Sequence, residues 1–165
     1  MEVGKIISKD ETGLALPRVT KITYEVETVS TEKQLAEKYN INYIRLPITD
    51  HVKPSDAIVD QLITFVKGLP QDYWLHIHCS AGVGRTSTVM VMIDMMKNAK
   101  HLSFEQILDR QTLIGGRDIR KLTPTPWKLE SIKNRVVFIK DFYDYCRTNQ
   151  DDFATTWSKY SETKK

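Results

Sequence analysis

Nine consecutive residues, His78-Cys79-Ser80-Ala81-Gly82-Val83-Gly84-Arg85-Thr86, constrain this chain more than any others. The apolar run YWLHIH leads into them and TSTVMVMIDMMKNAK leads out, so a loop of small residues joins a buried strand to a helix that is apolar nearly all round. That order builds an anion site. Small residues and two glycines let the backbone of Ser80, Ala81, Gly82, Val83 and Gly84 curl until successive N–H groups point inward, at the positive end of the following helix. Arg85 returns a planar fork to the mouth of the cradle, matched to two phosphate oxygens. Cys79 lies in the same field, where N–H groups, a helix N-terminus and a guanidinium lower a thiol pKa into the range of about 3.5 to 7.5. The pattern therefore predicts a thiolate nucleophile aimed at phosphorus. It is not a nucleotide-binding loop, which needs a lysine after its last glycine. Cys146, the second of two cysteines, sits in an amphipathic stretch and reads as a packing residue.

The flanking periodicities define the fold class. Alternation over 21–29 (KITYEVETV) and β-branched and aromatic enrichment over 41–48 (INYIRLPI) predict two strands besides 73–78. Helices are predicted over 30–40, capped by Ser30 or Thr31; after Pro54 and Ser55, with Ile58, Leu62 and Phe65 as its apolar stripe and Gly68 as its end; over 86–100; from a Ser103/Gln106 capping box to Gly115; and from Trp127 to about Tyr145. Strands alternating with helices, then helices alone, predict an α/β fold with a mainly parallel central sheet flanked by helices. A length of 165 residues suits a single domain, with residues 1–20 as an irregular lead-in and 21–165 as the α/β core with C-terminal helices.

Composition narrows the partners. The net charge of +3 is too small to predict nucleic acid, and no apolar run reaches the roughly 18 residues a membrane helix needs. The opening lacks the apolar stretch of a signal peptide, so the chain as written is expected in the cytoplasm, export being open to a longer precursor. Two cysteines exclude a disulfide framework and a four-cysteine zinc site. The charge is local: residues 117–135 carry six basic and two acidic side chains. Lys128 and Arg135, two turns apart on one helix, share a face, and a highly anionic substrate would use such a patch, which Lys53, Arg117, Arg120 and Lys121 extend.

Residues 78–86 resemble the Cys-x5-Arg-Ser/Thr motif of the protein tyrosine phosphatase superfamily. LPITDHVKP, LPQDYWLHIHC and VMIDMMKNAKHLSFEQILDRQTLIGG extend the resemblance to the bacterial tyrosine-phosphatase-like phytases, which act on inositol polyphosphates, over about Val26 to Trp157. The resemblance implies that Asp50 is the general acid and that Thr86 offers its hydroxyl to the leaving thiolate. It also implies that Lys128 and Arg135 bind peripheral phosphates of the ring, with Ile132 where the phytases carry an aromatic residue. His51 is expected to orient Asp50 or touch substrate, and His78 to fix the loop through hydrogen bonds. No cofactor or metal is expected, since arginine and backbone supply the positive charge. The implied reaction is phosphomonoester hydrolysis through a phosphocysteine, with an anionic phosphorylated partner. Ser80 stands where these phytases carry a charged residue, which keeps a protein tyrosine or dual-specificity phosphatase acting on phosphotyrosine protein as the alternative. About three strands, where such a sheet needs four or five, point to truncation at the N-terminal side and leave a catalytically weak phosphate-binding fragment as the third reading.

Overall fold

The computed structural model describes residues 27–121 and 126–164. The chain divides into two compact units, Met1–Arg45 and Leu46–Lys165. In the first, α1 (Glu32–Lys38) starts at Thr31, whose side chain accepts from the Gln34 N–H while the Gln34 side chain accepts from the Thr31 N–H, a reciprocal cap. The predicted lead-in, 1–20, and most of the predicted strand 21–29 lie outside the described residues.

The second unit is built on helices. These are α2 (Asp56–Lys67), α3 (Gly84–Asn98), α4 (Phe104–Leu113), α5 (Pro126–Thr148) and α6 (Trp157–Glu162). As its composition predicts, α3 is central, packing against both α4 and α5 and burying Val89, Val91, Met92 and Met95. Asp94 is also buried on α3, and it accepts from Asn98, Arg110 and Gln111, which ties α4 to the centre. The deepest row of α2 is Val59, Leu62, Ile63 and Val66. Ile58 and Phe65, predicted as its core stripe, are only half-buried and flank that row. Helix α6 packs on α2 and α5: the Trp157 indole N–H donates to Asp56 at 2.8 Å and its ring meets Phe138, Phe142 and Tyr145.

Among the described residues no strand ladder forms. Residues 73–79 nonetheless alternate half-buried and exposed, the two-residue period of a strand face. Trp74, His76 and His78 form the outer row, their rings 5.9 and 5.3 Å apart in turn. Among the described residues no helix is long and apolar enough to cross a membrane.

Candidate active site

The loop 79–85 closes as its composition demands. Gly82 takes φ +64°, a left-handed conformation that a Cβ would strain, and α3 begins two residues later. The turn brings the backbone N–H groups of Ala81, Val83 and Thr86, together with the Thr86 hydroxyl, onto the Cys79 sulfur. Burial pushes the Cys79 thiol up, but those hydrogen bonds outweigh it and the pKa falls to about 6. The Thr86 hydroxyl is buried and makes no hydrogen bond of ordinary geometry among the described residues, so its proton is available to the sulfur. Cys146 is the opposite case: buried at the core end of α5, its thiol is pushed well up by desolvation.

Arg85 lies in the first turn of α3. Its Nη1 donates to the Ile48 carbonyl at 3.3 Å, and its Nε stands 3.4 Å from Asp50 Oδ1. Asp50 comes from a turn closed by the Val52 N–H on the Thr49 carbonyl. Its Oδ1 also accepts from the His51 N–H at 3.0 Å, and Oδ2 lies 3.3 Å from His51 Nε2. The carboxyl is therefore oriented from both sides while 62% of the side chain stays exposed toward the cavity. His51 holds φ +64°, an uncommon conformation for a residue with a Cβ.

Cys79, Arg85, Asp50 and His51 line a single cavity of about 330 Å³ with Ser80, Ala81, Val83 and Gly84. Arg135 closes one wall. Only 8% exposed, it donates through Nη2 to the Val52 carbonyl at 3.3 Å and leaves Nε without a partner. A Cβ on Gly84 would stand 3.2 Å from its Nη1, so the guanidinium lies directly against the cradle. Ile132 lines the same wall, but Lys128 does not reach the cavity: its ammonium sits 4.6 Å over the Trp127 ring. Lys53 is similarly placed over Phe138, and Arg120 is taken up by Glu105, Asp109 and Asp118. Gly82 and His78 shape the loop without lining the cavity.

Three contributors were not legible as site residues. Trp127, 70% exposed, sets its ring edge-to-face on His51 at 5.4 Å. Ile119 lines the cavity, and Ser87 seats the chain that carries it by accepting from the Arg117 N–H. An exposed tryptophan beside a basic residue was the one available signal; the other two depend on tertiary contact alone. Among the described residues no group of three or more His, Cys, Asp or Glu is disposed to hold a metal ion.

The family model described as PTP-like phytase, inositol hexakisphosphate, matches residues 2–97. The effector protein hopD2 of Pseudomonas syringae pv. tomato is 30% identical over 137 residues, which span 80% of this chain and 29% of the effector. Among solved structures, the PTP-like myo-inositol phosphatase of Mitsuokella multacida, in complex with myo-inositol-(1,3,4,5)-tetrakisphosphate, superposes with a TM-score of 0.77 and 38% identity, over 95% of this chain and 27% of that one. A PTP-like phytase from Bdellovibrio bacteriovorus gives a TM-score of 0.77 and 37% identity over 86% of this chain and 56% of that one. The chain thus spans between about a quarter and somewhat over half the length of these relatives.

Proposed function

Because the chain belongs to the PTP-like phytase family, we propose that it is a cysteine-dependent phosphoric monoester hydrolase acting on inositol polyphosphates. One observation carries the reading: a thiol held near pKa 6 shares its cavity with Arg85 and a doubly oriented Asp50. The Cys79 thiolate attacks phosphorus in line, while Arg85 and the loop N–H groups hold the equatorial oxygens. The bond to the leaving oxygen breaks and Asp50 delivers its proton there, leaving a phosphocysteine. Water then attacks phosphorus, Asp50 takes the proton, and the Thr86 hydroxyl receives the departing thiolate. His51 orients Asp50, and His78 steadies the strand before the loop.

The substrate class follows from charge. Arg85, Arg117, Lys121 and Arg135 line the cavity against Asp50 and the thiolate, more positive charge than one phosphoryl group uses. The buried Nε of Arg135 supports a second phosphate on the substrate. The inositol tetrakisphosphate bound by the Mitsuokella enzyme is of that class. We place this chemistry in one domain on a mainly parallel central sheet. The alternation along 73–79 and the superposition on solved relatives support that architecture.

Phosphate release from inositol hexakisphosphate and from a phosphotyrosine peptide, side by side, tests the reading. Inositol phosphate is expected to be preferred, and Cys79→Ser to lower release by about a thousandfold or more. Preference for the peptide would move the chain to the protein tyrosine phosphatases, whose HCSAGVGRT loop it shares through Ser80. Release equal to that of Cys79→Ser would overturn the enzymatic reading altogether.

A further inference from the structure

Part of the cavity lining, Arg117, Ile119 and Lys121, comes from the chain that follows α4. Its backbone is fixed at two points: the Gly116 N–H donates to the Gln111 carbonyl at 2.9 Å, and the Arg117 N–H to Ser87 Oγ at 2.9 Å on α3. A Cβ at Gly116 would stand 2.6 Å from that same carbonyl, so only glycine allows the approach. Ile119, within the same stretch, is buried and lines the cavity.

The loop's three cations are sorted. Arg120 donates to Asp118, Glu105 and Asp109, at 2.8, 2.6 and 2.6 Å, which clamps the loop to α4. Arg117 and Lys121 line the cavity and form no ion pair among the described residues. Arg135, whose buried Nε has no partner among the described residues, lines the same cavity and feels the charge of Arg117. Two cations that form no ion pair among the described residues, on a braced loop in the same cavity as a buried guanidinium, form an anion site that the attack on phosphorus does not use.

We propose that Arg117 and Lys121 form a second phosphate subsite, taking a phosphate of the substrate other than the one Cys79 attacks, with Arg120 as the positioning residue that holds the loop. The subsite rests on the polyphosphate reading above and gives it a residue-level cause. It separates multiply from singly phosphorylated substrates, because a lone phosphoryl group occupies the cradle and leaves the loop empty.

The test uses the full chain. Arg117→Ala/Lys121→Ala is expected to lower kcat/KM for inositol hexakisphosphate by about 10- to 100-fold at low salt. Hydrolysis of p-nitrophenyl phosphate should stay within about twofold, and the salt dependence for the inositol substrate should flatten. Arg120→Gln should raise KM for inositol hexakisphosphate while leaving kcat, and p-nitrophenyl phosphate hydrolysis, near wild type. Equal losses on both substrates, or none on either, would overturn the subsite.

Calorimetric binding of inositol hexakisphosphate and of inorganic phosphate to Cys79→Ser separates the two readings. If the wild type fails to hydrolyse inositol hexakisphosphate, the functional reading falls. The subsite then stands or falls on whether the double substitution weakens binding of the polyphosphate and not of inorganic phosphate.

Discussion

At Cys79 the sign of the pKa shift decides the working pH. The thiol falls from its ordinary value near 9 to about 6, so the nucleophile is charged above pH 6 and is lost as pH drops through that value. Thr86 contributes the largest of the favourable hydrogen bonds. Thr86→Val, which keeps the shape and removes the hydroxyl, is expected to move the midpoint of iodoacetamide alkylation upward from about 6 by about one unit. An unchanged midpoint would assign the shift to the backbone N–H groups alone. The nucleophile and Arg85 were legible because their geometry is set within nine residues, where spacing dictates position. Arg117 and Lys121 were legible as part of a basic patch for an anionic substrate, but not as distinct from Arg120 within it. Their separation from Arg120, three residues of similar chemistry within five positions, is made by Glu105 and Asp109 on α4. Lys128 illustrates the same limit: two turns from Arg135 on one helix, it is drawn onto Trp127 instead.

Helix starts with a local chemical signature were read correctly, because a cap needs only neighbours. Both Thr31 with Gln34 and Ser103 with Gln106 form reciprocal caps. The buried face of α2 was placed about one residue early, since periodicity gives a stripe and packing chooses its centre. Helix α6 was not foreseen: six residues carry too little period, and its stability comes from docking rather than propensity. Trp157 supplies that docking through the Asp56 hydrogen bond and its ring contacts with α5. Trp157→Ala is expected to cost about 3–5 kcal/mol in urea denaturation, against about 1 kcal/mol for Ser103→Ala, which removes one cap. Similar costs for the two would mean that α6 is an appendage and not part of the core.

For the molecule as a whole, the buried acids of the α5–α6 end set the alkaline limit of folding. Desolvation raises both the Cys146 thiol and the Tyr145 phenol above their ordinary values near 9 and 10. Both groups stay protonated in the fold while the unfolded chain releases their protons first. Their contribution is therefore intact below about pH 9 and declines as pH rises from there toward the folded values. Asp118 works at the other end. Hydrogen bonding from Arg120 holds its carboxyl below the ordinary value near 3.8, so its contribution is present above that value and is lost as pH falls through the lower, folded one. Urea midpoints measured across pH are expected to rise between about 6 and 9, where Cys79 is a thiolate in the fold and a thiol in the unfolded chain, and to fall below about 4 and above about 9. Cys146→Ala should shift the onset of the alkaline fall from about 9 to about 10, where Tyr145 alone remains. Arg120→Gln should make the acid fall shallower. An alkaline limb that Cys146→Ala leaves in place would mean that this thiol is not desolvated. The tight core end of α5, argued from its ring contacts, would then have to be looser than the helix packing implies.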